Sequence, residues 1–454
     1  MRAYQQARLA RDARYDGKFF VAVKTTKIYC RPICPAPSPK EENVCYFPSA
    51  ITAEQQGFRP CLRCRPESAP NSAAWLGNQA LLKKAMDKIQ NGQLNHMNLP
   101  EFSATMGISD RYLRQLFQKH LGISPNQYAS HVKVMFAKQL LHQTTLSITD
   151  IAYSSGFKSL RRFNDTFKHH IKLTPSDVRA KKVSETTKSN SAITLTLYYA
   201  PPYNWPLMHD FLALREIAEF ETVTPHSYCR TFQLDGCTGL FTAQHLENSH
   251  AFEVTIELSD FNALMPVIAK IRNLFDLNTD LQTVEHDLTQ DKRLASIMQS
   301  GLRLPACWDH FEAGVKAILG QQVSVKAAYT NTAKLVKALG EKYNDDYYLF
   351  PHAQKVAQSE LEFLKMPAAR KQSIRDFANW CHTRPNANLE EILDIKGIGP
   401  WTFEYIKFRS GEDSDAFPEK DLGIIKAMQA LNITNHEPWK PWRSYATLHL
   451  WNSL

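Results

Sequence analysis

No stretch of this 454-residue sequence is apolar for the roughly 18 positions that a membrane-spanning helix needs. The opening segment MRAYQQARLARDARYDGKFF carries charge throughout and has no apolar core, so it lacks the pattern of a secretory signal. A cytoplasmic protein with no membrane partner is expected. Wholesale disorder is excluded by 43% hydrophobic and 22% charged residues, an ordinary globular balance. Acidic residues are scarce at the front: residues 1–182 hold 12 Asp+Glu against 28 Lys+Arg, a net of +16. The remainder carries 33 against 26, a net of −7. A basic front half suits a polyanionic partner, most simply nucleic acid.

The nine cysteines, expected to stay reduced in the cytoplasm, are unevenly placed. Five fall before residue 65, and four of these form two close pairs, Cys30/Cys34 in YCRPIC and Cys61/Cys64 in PCLRC. Such pairs let two thiolates from one turn reach a single tetrahedral ion, so one Zn2+ at a four-cysteine site is expected. Arg31, Arg59, Arg63 and Arg65 surround the ligands. Four thiolates on one zinc leave a formal double negative charge, which keeps each sulfur ionised and, if exposed, nucleophilic. Cys45 reads as a packing residue or a free thiol.

From Asn78 to about Lys182 apolar residues recur at three and four, and one design occurs twice. LPEFSATMGISDRYLRQLFQKHLGISPNQY and SITDIAYSSGFKSLRRFNDTFKHHIKLTPSDV each combine a short helix, a glycine turn (Gly107 or Gly156), a second basic-faced helix and a closing G/K-x-[ST]-P. That is a helix-turn-helix signature, and the second helix of each unit is suited to the major groove. The polar, aperiodic KKVSETTKSNSA that follows reads as a linker. After it, ITLTLYYAPP, YCRTFQL and AFEVTIEL alternate as strands do, with a helix near WPLMHDFLALREIAEF, and helical periodicity dominates to residue 454.

In that last region, LDIKGIGPWTFEYI places Gly397 and Gly399 before a helix. Glycines there permit a tight turn whose amides can hold a phosphate, although a plain helix–helix turn would need the same residues. Asp421, in DAFPEKDLGIIKAM, stands just before an apolar helix and is either a helix cap or a functional carboxylate.

Three resemblances give these patterns a meaning. The stretch Asp16–Pro66, with its C-R-P-x-C motif, resembles the amino-terminal domain of the Ada family. This implies that Cys30 takes a methyl group from a methylated DNA phosphate and is consumed in doing so, with Cys34, Cys61 and Cys64 as the other zinc ligands. SGFKSLRRFNDTFK resembles the AraC family. The implied DNA readers are Ser109, Arg111 and Arg114 in one helix and Ser159, Arg161, Arg162 and Lys168 in the other, with Phe157, Phe163 and Phe167 left as core. Residues 193–452 resemble the 3-methyladenine DNA glycosylase II (AlkA) family of the helix-hairpin-helix superfamily, through APPYNWPLMHDFLALREI, GLRLPACWDHFEAGVKAILGQQVSV, IKGIGPWT and KPWRSYATLHLW. Asp421 matches the catalytic aspartate, and Trp401, Tyr405 and Trp451 match the aromatic lining of the pocket for a flipped base. Gln322 stands where that family has an apolar wedge, and Asn452 replaces an aromatic beside Trp451. Pro400 and Trp401 occupy the region in which lyase-active relatives carry a lysine, which implies base removal without strand cleavage. The P-C-H-R motif of the guanine-O6 methyltransferase that ends Ada is absent.

The expected architecture is multidomain, α and α+β. A small four-cysteine zinc domain covers 1–75, an all-α tandem helix-turn-helix domain 76–182 and a linker 183–192. An α+β subdomain covers 193–281 and an all-α helix-hairpin-helix glycosylase domain 282–454. Alkylated and promoter double-stranded DNA are the expected partners, with RNA polymerase as a further one for a transcription activator. Lys396, Lys407 and Lys420 are candidate backbone contacts of the acidic half. The competing expectation is a transcriptional regulator whose glycosylase-like half is not catalytic.

Overall fold

The computed structural model describes residues 2–12, 15–64, 66, 80–180, 192–385, 387–411 and 413–454. Arg65 and residues 183–191 of the expected linker lie outside them. The chain divides into two compact units, 1–200 with 260–269 and 278–280, and 201–259 with 270–277 and 281–454. No described helix is long and apolar enough to cross a membrane.

The first unit begins with four short strands, Phe20–Val23, Ile28–Cys30, Val44–Phe47 and Arg59–Pro60. The first lies between the second and third, antiparallel to both, while the fourth runs parallel to the second. Because the register sets Tyr29 beside Pro60, the chain leaves both strands at the same end, at Cys30 and at Cys61. Phe20, Ala22, Tyr29, Ala53 and Phe58 form the core beneath the helix Ala50–Gln55.

The two helix-turn-helix copies follow as Leu99–Ala104 with Asp110–Leu121 and Ile148–Ser154 with Leu160–Ile171, joined through the 19-residue helix Pro125–Gln143. Gly107 and Gly156 make the turns with φ of 70° and 78°, the left-handed region in which a side chain is strained. Both second helices end the same way, on a left-handed residue, yet one uses Gly122 and the other Lys172. Phe163, Phe167 and Ile171 are fully buried and Phe157 nearly so, as a core role requires. The strand expected in ITLTLYYAPP runs over Ala192–Tyr198.

The second unit opens with the helix Trp205–Ala213, at the segment where a helix is expected, followed by an antiparallel meander, Glu221–Thr224, Ser227–Leu234, Cys237–Leu246 and Ala251–Leu258. Two of these strands match the alternating segments noted above. Cys237–Leu246 gives little alternation signal because Gly239 sits at a buried position, where an added Cβ would lie 2.2 Å from the Glu257 carbonyl and 2.3 Å from the Phe232 ring. Helices make up the rest. His310–Leu319 runs through their middle, its Val315, Ile318 and Leu319 packed with Leu335, Phe377 and Ile406.

Inside that apolar core lies a charged group. Glu312 accepts both Arg230 guanidinium nitrogens at 3.1 and 2.7 Å and the Lys316 ammonium at 2.7 Å, and all three side chains are withdrawn from water. Burial favours the neutral acid, but the two cations overcome it and hold the Glu312 carboxyl well below the usual range. Stability from this cluster is present above the ordinary glutamate pKa and is lost as pH falls below it. Glu312→Gln removes the carboxylate bonded to both cations and leaves only the more distant Glu221 charge, so it should cost about 3–5 kcal/mol in chemical denaturation of the full chain at neutral pH. A loss under about 1 kcal/mol would show that the two cations are satisfied without it.

Candidate metal centre, nucleic-acid interface and active site

The parallel strands bring the cysteine pairs together. Cys30 ends one strand, Cys34 sits in the turn after it with its amide bonded to the Arg31 carbonyl, and Cys61 and Cys64 follow the other strand. The four Sγ atoms all lie within 4.8 Å of one another. A tetrahedral zinc with bonds near 2.3 Å requires sulfurs about 3.8 Å apart, so the cluster fits the ion with small adjustment. Backbone amides of Arg31 and Arg63 donate to the sulfurs of Cys64 and Cys61, each at 3.4 Å, as expected around thiolates. Cys61 and Cys64 are buried whereas Cys30 and Cys34 are partly accessible. The Arg31 side chain turns away from the sulfurs and pairs with Asp16, Arg63 is exposed, and Cys45 packs on the neighbouring core outside the cluster.

Arg111, Arg114, Arg161, Arg162 and Lys168 are exposed on the second helices of the two repeats. Arg114 meets only Asp110, one turn earlier, at 3.5 Å. Ser109 and Ser159 are each the N-cap of their helix, the hydroxyl accepting the amide of Tyr112 at 3.2 Å and of Arg162 at 3.3 Å. Lys133 was not signalled by the sequence. It donates to the Gly156 carbonyl at 2.8 Å, and burial with the nearby Arg162 and Lys158 charges lowers its pKa to about 8.

The glycine turn in the second unit precedes the helix Pro400–Ser410. Gly397 has φ 93°, and a Cβ there would lie 2.2 Å from the Ser373 hydroxyl, which itself donates to the Lys396 carbonyl at 2.7 Å. Gly399 differs: its φ is −103° and a Cβ would meet nothing within 4 Å, so the space beside it is open. No side chain caps this helix, which leaves its first-turn amides available to an anion. Gln321, overlooked in the sequence because it makes no periodic pattern, braces the turn by donating to the Gly397 carbonyl at 3.0 Å and the Thr402 hydroxyl at 3.1 Å. Its neighbour Gln322 is exposed at a left-handed φ of 57° and accepts from Arg370 at 3.3 Å.

Asp421 is both a cap and the meeting point of two indoles. Its Oδ1 accepts the amides of Gly423 and Ile424 at 2.9 and 3.2 Å and the Trp451 Nε1–H at 2.9 Å, while Oδ2 accepts the Trp401 Nε1–H at 3.0 Å. Trp401 and Tyr405, one helical turn apart, stack at 5.1 Å, and Tyr405 lies 6.2 Å from Trp451. The three aromatic rings and the carboxylate thus converge. Arg409, buried one turn beyond Tyr405, donates to its hydroxyl at 3.3 Å, and its i+4 spacing is the one signal that could have revealed it. Leu422, next to Asp421, is 73% exposed. Asn452 is exposed while Trp451 is half-buried. Lys396 and Lys420 are exposed, but Lys407 is held by Asp413 at 2.9 Å and Glu404 at 3.4 Å.

Three family descriptions match along the chain: the metal binding domain of Ada over residues 3–67, a helix-turn-helix domain over 102–181, and the AlkA N-terminal domain over 194–309. A Mycobacterium tuberculosis protein described as a probable bifunctional transcriptional activator/DNA repair enzyme AlkA is 33% identical, over 98% of this chain and 95% of its own length. DNA-3-methyladenine glycosylase 2 of Escherichia coli is 35% identical over 56% of this chain and 96% of its own. The bifunctional transcriptional activator/DNA repair enzyme AdaA of Bacillus subtilis is 36% identical over 41% of this chain and 86% of its own. A zinc-binding Ada-type domain and helix-turn-helix units are thus followed by an AlkA-type half. The chain belongs to the family of bifunctional transcriptional activator/DNA repair enzymes in which these parts are fused, and its four-cysteine cluster is a site for one zinc ion.

Gly397→Ala should force Ser373 aside and strain the turn, costing about 1–3 kcal/mol. Gly399→Ala should leave stability within about 0.5 kcal/mol, because its surroundings are open. Thermal unfolding of the two variants compares them directly, and equal losses would contradict this assignment of roles.

Proposed function

We propose that the second unit removes alkylated bases from duplex DNA and that the first senses methylated DNA phosphates and activates transcription in response. The observation that carries the first half is the convergence of Asp421 with Trp401, Tyr405 and Trp451. An alkylated purine such as 3-methyladenine is cationic, which makes it a good leaving group and a good partner for an electron-rich aromatic face. Flipping it from the stack costs a few kcal/mol, less where damage weakens pairing. As the bond from the sugar C1′ to the base nitrogen breaks, its electron pair leaves with the base and positive charge develops on the sugar. The Asp421 carboxylate stabilises that charge and takes the proton of the water that adds to C1′. Its two indole donors fix its orientation beforehand. With Pro400 and Trp401 in the region of a lyase lysine, the product is an abasic site in an uncut strand. The first-turn amides of Trp401 and Thr402, together with Lys396 and Lys420, hold phosphates flanking the lesion, and Gln322 fills the gap left by the flipped base.

In the first unit, bound zinc keeps the cysteine sulfurs ionised. The Cys30 sulfur attacks the methyl carbon of a methylphosphotriester, forming a thioether, and the phosphate leaves as an ordinary diester anion. No second reactant reverses the thioether, so each chain reacts once. One negative charge is lost from the cluster, which lowers repulsion of the DNA backbone and strengthens binding by Arg111, Arg114, Arg161 and Arg162. Promoter DNA and, through it, RNA polymerase are the partners of that state.

Two measurements test these readings separately. On duplex containing one 3-methyladenine, the intact chain should yield an abasic site, and Asp421→Asn should be slower by at least about 100-fold. Asparagine still caps the helix through its Oδ1, but its amide nitrogen cannot accept from Trp401. No abasic product from the intact chain would leave a regulator with a non-catalytic second half, and full activity in that variant would remove Asp421 from the catalytic role. After incubation with methylphosphotriester DNA, mass spectrometry should find a single added methyl, on Cys30, and its absence would return the cysteines to a purely structural role.

A further inference from the structure

A second constellation of ligand atoms lies in the first unit, away from the four cysteines. Glu54, on the helix Ala50–Gln55, is buried without a Lys or Arg partner among the described residues. Its Oε2 faces the Nδ1 of His131 at 2.9 Å and the Nδ1 of His170 at 3.2 Å, and the three atoms lie within 4.8 Å of one another. These histidines come from two other helices, Pro125–Gln143 and the carboxy-terminal end of Leu160–Ile171. The other oxygen, Oε1, accepts the Tyr29 hydroxyl at 2.8 Å.

We propose that Glu54, His131 and His170 form a second zinc site, one that fastens the cysteine domain to the helix-turn-helix units. Two imidazoles and a carboxylate are a standard set of three ligands for zinc, which leaves a fourth position for water. Bonds near 2.0–2.1 Å in a tetrahedron need ligand atoms about 3.3 Å apart, close to the separations found. Both rings turn the same kind of nitrogen toward one carboxylate oxygen, so a cation among the three atoms would take a lone pair from each. The Tyr29 hydroxyl supplies what metal-binding carboxylates ordinarily have, an outer donor that fixes their orientation. The site is shielded without being sealed: the side chains of Glu54, His131 and His170 are 9%, 11% and 20% exposed. His169, whose ring lies 5.5 Å from that of His170, is the adjacent titratable group on the same helix.

The test uses the full chain, purified with zinc and passed through gel filtration, with zinc counted against protein by elemental mass spectrometry. Two zinc ions per chain are expected, and one in His131→Gln/His170→Gln. Cobalt substitution distinguishes this from misfolding. The double variant should keep the intense sulfur-to-cobalt charge-transfer band of the cysteine site and lose the weaker bands of a nitrogen–oxygen site. Tyr29→Phe should bind the second ion roughly 10–100-fold more weakly while binding two at saturation. One zinc per chain in both the unmodified chain and the double variant would overturn the proposal, leaving Glu54 in hydrogen bonds alone. An unchanged cobalt spectrum in the double variant would do the same.

Discussion

A carboxylate shielded from water has to be met by donors, and three carboxylates, Glu312 buried and Glu54 and Asp421 partly so, organise this chain. Glu312 is met by Arg230 and Lys316, which ties the meander to the central helix of the second unit. Glu54 is met by Tyr29, His131 and His170, which ties the cysteine domain to two helices of the first. Asp421 is met by two amides and two indoles, which ties a helix start to the aromatic residues around it. In each case the donors arrive from different stretches of sequence. The demand for their presence therefore acts as a long-range constraint on the fold, because a missing donor leaves a charge uncompensated.

The same fact explains what could be read in advance. Chemistry held in a short window was legible: the cysteine pairs and the turn glycines Gly107, Gly156 and Gly397. Phe163 and Phe167 were legible as core because helical periodicity carries that message. What was not legible depends on partners far along the chain. Glu54 and His170 stand 116 positions apart, and Arg230 and Glu312 82, and no local pattern announces such pairs. Ser109 and Ser159 show another limit. A serine before a basic helix suits a DNA reader and a cap equally well, and only the hydroxyl's direction separates the two roles. Gly397 and Gly399 divide likewise: the sequence presents them as equivalent, whereas sterics demand only the first.

Asp421 removes the opposition between cap and functional carboxylate. Capping uses one oxygen and the indoles share both, so the helix start serves as the device that aims the group. A residue whose orientation is fixed from four directions loses little freedom when it acts. This arrangement also accounts for the position of the two tryptophans: their N–H groups hold the carboxylate while their rings lie beside Tyr405.

The two helix-turn-helix copies share one chain and are joined through a helix of 19 residues, a spacer about 28 Å long. A turn of duplex DNA is about 34 Å, so a spacer of that length is of the same order as the repeat of the major groove. They are also unlike: one exposes Arg111 and Arg114, the other Arg161, Arg162 and Lys168. Proteins that pair identical subunits on DNA favour palindromes, which read the same from either side. A single chain with two dissimilar helix-turn-helix units in fixed order suits a site with a head and a tail. Such a site has polarity, so inverting it would turn the bound protein to face the other way along the promoter.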